Sequence, residues 1–133
     1  MSAQNEQERY PYPMSIRAIR GAIQVSANTP SAIGEGVKEL IGAIMRQNAL
    51  TPESVISVFF TSTPDLNAAF PAAACREIGF ESVPLIGALE VDVPGALERV
   101  IRVMLHCETT SPAASISHIY LNGAQSLRRD IAQ

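Results

Sequence analysis

The sequence predicts an α+β fold in which helices pack on one face of a mixed β-sheet. Three observations predict it. Runs rich in β-branched and aromatic residues alternate along the chain with runs whose apolar residues recur at helical spacing, in the order β-α-β-α-β-α-β. No segment repeats and no block is of low complexity, so the elements belong to one arrangement rather than an array. The 133 residues, 47% hydrophobic and 17% charged, suit one domain with one modest core. A sheet covered by helices on one side only leaves its other face bare, and self-association is the simplest cover for a chain of this size.

The elements follow in order. Residues 1–14 are polar, carry Pro11 and Pro13, and read as a flexible tail ahead of a domain over 15–133. SIRAIRGAIQV, residues 15–25, reads as a first strand with an irregularity near Gly21. Strict alternation places its two arginines, Arg17 and Arg20, on opposite faces. Asn28-Thr29-Pro30-Ser31 signals a helix start with the cap near Pro30 or Ser31, and the helix runs to about Asn48 with Ile33, Val37, Leu40, Ile41 and Ile44 on its apolar side. VISVFFTST, residues 55–63, is a buried strand. Residues 67–80 hold a short helix that begins near Pro71 and stops at Gly79. VPLIGALEVDV, residues 83–93, is a third strand, in which Gly87 permits a close approach. PGALERVIRVMLHCETT is expected to be a helix from about Pro94. ISHIYLNG, residues 116–123, is a fourth strand, and AQSLRRDIAQ adds a short edge strand or a docked tail.

Several function classes are excluded. The net charge of −3 gives no basic field, and no clustered Lys/Arg tract or basic-aromatic stripe invites nucleic acid or a membrane surface. No apolar run approaches membrane-spanning length, and the N-terminus has no apolar signal region. Cys75 and Cys107 lie far apart, without metal spacing, and read as two thiols in a reducing cytoplasm. With His106 and His118 as the only histidines, one expected on a polar helix face and one on a strand, zinc ligation and a histidine-assisted nucleophile have little support. P-loop and GxGxxG patterns are absent.

The residues that invite chemistry are charges in apolar surroundings. Arg102 interrupts the run RVIRVMLHC. On the expected helix it shares a face with Glu98, Arg99 and His106, and Glu98 and Arg102 form an i,i+4 pair, which describes an ordinary polar face. An anion-binding guanidinium is the other reading, since arginine presents a fixed fork to carboxylates and phosphates. Glu90 is open between an outward-facing residue and a buried functional carboxylate, and Arg20 in its strand has the same two readings.

Three blocks in order are more specific than any one residue: TSTPDLNAAFPAAACREIG, then LEVDVPGALERVIRVML, then HIYLNGAQSLRRD. Together they resemble the AroH-type chorismate mutases, the small trimeric class, from about Ile16 to Ile131. The resemblance implies three subunits whose mixed sheets close into a trimeric pseudo-α/β-barrel, with an active site at each subunit cleft. It implies an isomerase of aromatic amino acid biosynthesis that converts chorismate to prephenate by a pericyclic Claisen rearrangement. The reaction needs no cofactor, no metal and no covalent intermediate, and the partner it implies is a small dicarboxylate. Carried over by position, Arg102 is the donor to the ether oxygen and a carboxylate, Arg20 a carboxylate-binding arginine, and Tyr120 its assistant. Glu90 accepts from the ring hydroxyl; Phe70, Ala72 and Arg76 form a wall supplied by the neighbouring subunit; Leu127 and Arg128 close over the cleft.

Three positions depart from the family's usual residues. Ala73 replaces a common lysine, Ile86 a threonine and Gly87 a cysteine. A wider ring pocket leaves isochorismate or 4-amino-4-deoxychorismate as alternative substrates for the same rearrangement. A non-catalytic trimeric binder of small carboxylates, and a trimeric enzyme of similar shape such as the imine deaminase-like proteins, are the further alternatives. The joint presence of Arg20, Glu90, Arg102 and Tyr120 favours the mutase.

Overall fold

A computed structural model describes residues 13–127. Its strands are β1 (Ser15–Gln24), β2 (Val55–Ser62), β3 (Leu85–Leu89), β4 (Val100–Thr109) and β5 (Ile119–Leu121); its α-helices are α1 (Pro30–Gln47) and α2 (Pro71–Arg76). Single turns of 3₁₀-helix cover Pro52–Ser54 and Ala113–Ser115, and a longer one covers Asn122–Ser126. The strands form one five-stranded sheet in the order β3-β2-β4-β1-β5. β4 runs antiparallel to β1 and β2, while β2 with β3 and β1 with β5 pair in parallel. The expected α+β architecture, a mixed sheet with helices on one face, is what the chain adopts.

The expected helix from Pro94 is a correction: its second half is β4, the central strand. The segment satisfies both periods. Leu97, Ile101, Met104 and Leu105 recur at helical spacing, but Ile101, Val103, Leu105 and Cys107 also alternate, and all four are buried. β1 and β2 flank the segment and hydrogen-bond it on both edges, which a helix would forgo. Its entry also opposes a helix, because Gly95 and Arg99 take left-handed φ angles of 83° and 54°. His106 therefore lies on a strand, and the supposed Glu98–Arg102 helical pair does not exist: Glu98 pairs with Arg99.

The remaining expectations shift at their ends. α1 begins at Pro30, and its cap is Thr29, whose Oγ1 accepts from the Ala32 N–H at 3.0 Å. β3 and β5 are shorter than expected, residues 122–126 form a 3₁₀ turn, and most of the expected edge strand or docked tail, residues 128–133, lies outside the described residues. β1 shows no irregularity at Gly21, since its ten residues pair with β4 without a break. Gly21 instead admits close neighbours: a Cβ there would meet the Ile119 carbonyl oxygen at 2.9 Å and the Leu40 and Ile44 methyls at 3.1 Å. The one register shift lies in β2, between Val55 and Ser57.

The core lies between the sheet and α1. Ile33, Val37, Leu40, Ile41 and Ile44 face Ile19, Ile23, Val58, Phe60, Ile101, Val103 and Leu105, all buried. Burial of each such side chain contributes about 1.5–3 kcal/mol, which offsets the entropy of ordering it. The opposite face of the sheet carries no α-helix; the 3₁₀ turn Asn122–Ser126 covers only its β1–β5 end, over Ala22 and Tyr120. On this face Ile16, Phe59 and Ile86 stand 64%, 43% and 59% exposed.

Candidate active site

On that bare face the register aligns the candidate residues. Ala22 and Thr61 both stand directly opposite Arg102, Tyr120 opposite Ala22, and Ala88 opposite Thr61. Directly opposed residues share a face, so Tyr120, Ala22, Arg102, Thr61 and Ala88 form one row across the five strands. Glu90 lies two residues beyond Ala88, and its N–H continues the ladder to the Ser62 carbonyl at 2.9 Å. Its side chain consequently returns to the same face. Arg20, opposite Met104, is two residues from Ala22 and lies in the adjacent row.

The centre of the row is an ion pair. Arg102 Nε lies 2.7 Å from Glu90 Oε1, and the side chains are 36% and 20% exposed. Thr61 donates from Oγ1 to that same oxygen at 3.0 Å. Among the described residues, neither terminal guanidinium nitrogen of Arg102 and not the second oxygen of Glu90 has a hydrogen-bond partner. The pair thus presents two donors and one acceptor, side by side, to the open face. Both open readings are answered here: Arg102 is no helix-surface cation, and Glu90 is a half-buried, paired carboxylate.

Neighbouring groups fix the flanks. The Arg20 backbone N–H donates to His118 Nδ1 at 3.0 Å, which ties β1 to the approach of β5. Tyr120 is buried in a small second cluster with Ala22, Val100 and Ala124, against which Leu97 and Leu127 pack. Arg128 lies outside the described residues.

Phe70, Ala72, Arg76 and Gly87 assemble elsewhere. They line an open groove of about 790 Å³ between α2 and the β3 edge, with Leu85 and Leu89 among the other walls. Gly87 stands opposite buried Phe60, so its position faces the helix side of the sheet, away from Arg102. Ala73 lines a different groove, between α1 and α2, beside the exposed Lys38–Glu77 pair at 2.7 Å. One chain therefore holds two separated groups of candidates. Thr61 is the contributor that sequence reasoning missed. Its signal was the alternation of β2, but no cross-strand partner could be assigned while the segment after Pro94 was read as a helix.

Thiol chemistry has no foothold. Burial pushes the Cys75 thiol up to about 12 and raises that of Cys107 as well. The geometry offers positioning and charge rather than a nucleophile.

Comparison with known proteins agrees. Residues 16–131 match the model of the family described as chorismate mutase type I. Over 117 residues the chain is 45% identical to the chorismate mutase AroH of Thermus thermophilus, covering 87% of this chain and 96% of that protein. It is 41% identical over 120 residues to the chorismate mutase AroH of Bacillus subtilis (strain 168), covering 90% and 94%. A solved chorismate mutase from Clostridium thermocellum superposes with a TM-score of 0.81 at 45% identity, covering 83% of this chain and 98% of that one. These matches span most of the chain, the strands that carry the Arg102–Glu90 pair included, and the chain belongs to the chorismate mutase type I family.

Proposed function

We propose that the protein is an isomerase that rearranges chorismate to prephenate, in clefts shared between subunits of a homotrimer. The observation that carries this reading is the Arg102–Glu90 pair on an uncovered sheet face, with its free donors and acceptor adjacent. The rearrangement is unimolecular, so the chain needs no nucleophile. It needs the flexible enolpyruvyl ether held folded over the ring, which is a conformational-entropy task. It also needs a preorganised donor where negative charge grows on the breaking ether oxygen. The terminal nitrogens of Arg102 serve that oxygen and a carboxylate, and the second oxygen of Glu90 accepts from the ring hydroxyl. Arg20, assisted by Tyr120, takes a substrate carboxylate, while Leu127 and Arg128 close over the cleft.

The separation of the two candidate groups supports a shared cleft. Phe70, Ala72, Arg76 and Gly87 line a groove at the β3 edge of the sheet, apart from the Arg102–Glu90 pair, and a neighbouring subunit can bring its own set to that pair. The exposed Ile16, Phe59 and Ile86 supply apolar area for that contact. The family and the named relatives lend no support to isochorismate, 4-amino-4-deoxychorismate or a non-catalytic binder as the alternative. No helix among the described residues is long and apolar enough to cross a membrane. Two free buried thiols suit a cytoplasmic location.

The test is incubation of purified protein with chorismate, detection of prephenate by its acid conversion to phenylpyruvate, and sedimentation to read the subunit number. Turnover by a trimer is expected. A folded protein with no turnover would refute the activity, and a monomer with full turnover would refute the shared cleft.

A further inference from the structure

We infer that Thr61 is a positioning residue for the rearrangement: its hydroxyl holds the Glu90 carboxylate and, through it, the plane of the Arg102 guanidinium. The inference rests on the proposed function and extends it to a residue outside the carried-over set.

Three features lead to it. First, Glu90 Oε1 is met from two different strands, by a hydrogen bond from Thr61 Oγ1 on β2 at 3.0 Å and by the ion pair with Arg102 Nε on β4 at 2.7 Å. A hydrogen bond and an ion pair converging on one oxygen hold the carboxylate where either alone would let it turn, and they leave the other oxygen free toward the open face. Second, Glu90 lies just past the end of β3, held to the ladder by its backbone N–H on the Ser62 carbonyl at 2.9 Å. That bond anchors its backbone and leaves its side-chain torsions unset, so the side-chain contacts must choose the rotamer. Third, Thr61 itself is well placed to choose. It pairs with Arg102 on one side and Ala88 on the other in a continuous ladder. A β-branched side chain in a strand has few χ1 options, so its hydroxyl direction is preset.

The consequence for chemistry follows from the planarity of the guanidinium. Once Nε is committed to Glu90, the directions of both terminal nitrogens are set. At 36% exposure the Arg102 side chain would otherwise sample several rotamers. Its aim matters most where charge appears, at the ether oxygen in the transition state, so loosening Glu90 should appear in kcat more than in KM. A threonine present only for its strand propensity would be replaceable by valine, which keeps the branched shape and lacks the hydroxyl.

The experiment compares Thr61→Val and Thr61→Ser with the unmodified protein, each as the full chain, by steady-state turnover of chorismate and by thermal unfolding. Thr61→Val should lower kcat about tenfold, the worth of one well-made hydrogen bond, with KM within about threefold and the unfolding midpoint unchanged. Thr61→Ser should restore kcat to within about threefold of the unmodified protein, because it returns the hydroxyl without the methyl. Unimpaired kcat in Thr61→Val, or a loss in Thr61→Ser as large as in Thr61→Val, overturns the inference. If Thr61→Val does not fold, Thr61→Ala against Thr61→Ser makes the same comparison. Absence of turnover in the unmodified protein removes the proposed function and this inference with it; turnover there, with Thr61→Val unimpaired, removes this inference alone.

Discussion

Replacing Arg102 with alanine separates what the residue does for the fold from what it does for the chemistry. Its side chain and that of Glu90 are 36% and 20% exposed, so water still reaches both ends of the pair. A pair in that setting contributes about 1 kcal/mol or less to stability. Ile101 and Val103, which flank Arg102 and are buried on the helix side, are untouched by the change. The fold and assembly of Arg102→Ala should therefore match the unmodified protein. The rate should not. Removing a preorganised donor to a developing oxyanion costs about 3–4 kcal/mol, or roughly 10²–10³ in kcat. Arg102→Lys should do little better, because one ammonium cannot both hold Glu90 Oε1 and present two further donors in a fixed plane. Prephenate production measured as phenylpyruvate after acid treatment, with sedimentation and thermal unfolding on the same samples, reads rate and structure together. A folded Arg102→Ala variant with kcat within about threefold of the original, far short of the expected loss, would sink the reasoning.

Other perturbations follow from the packing. Gly21→Ala forces a Cβ to 2.9 Å from the Ile119 carbonyl oxygen, so β5 must shift; a loss of about 1–3 kcal/mol is expected by denaturant titration. Because β5 carries Tyr120, kcat/KM should fall in the same variant, and unchanged stability would contradict the close approach. Gly87→Cys meets only the Phe60 carbonyl oxygen, at 4.0 Å, so its unfolding free energy should stay within about 0.5 kcal/mol of the original. The added side chain narrows the groove, and kcat/KM for chorismate should rise by less than about tenfold; no change would take Gly87 off the substrate path. Cys75, with its thiol pushed up to about 12, has roughly 10⁻⁴ of its population as thiolate near pH 8, so a thiol reagent should modify it only after unfolding. Its raised value also stabilises the fold fully below about pH 9, and that contribution disappears as pH climbs from about 9 toward 12, where the unfolded chain ionises first. Rapid labelling of the native protein near pH 8 would show that Cys75 is accessible after all.

The elements that could be read locally were those with a single period. α1 is specified by Thr29-Pro30 at its start and by Ile33, Val37, Leu40, Ile41 and Ile44 along one side, a pattern no strand shares. β2 is specified by its β-branched and aromatic run. β4 was misread because its apolar residues satisfy two periods at once, and no local feature ranks them. The same ambiguity hid the site. On a helix the acidic neighbour of Arg102 is Glu98, one turn away; on a strand it is Glu90, just past the end of β3 and beside Thr61.

The ordered blocks around Asp65, Glu90, Arg102 and Tyr120 were by themselves enough to place the chain among chorismate mutases. Only the tertiary structure decided who meets whom: that Arg102 shares one oxygen of Glu90 with Thr61, and that Phe70, Ala72, Arg76 and Gly87 gather in a groove at the β3 edge. The physical reason is that helix periodicity is a property of a segment, whereas strand pairing and register belong to partners distant in the chain. A charge inside an apolar run acquires its meaning from the strand beside it.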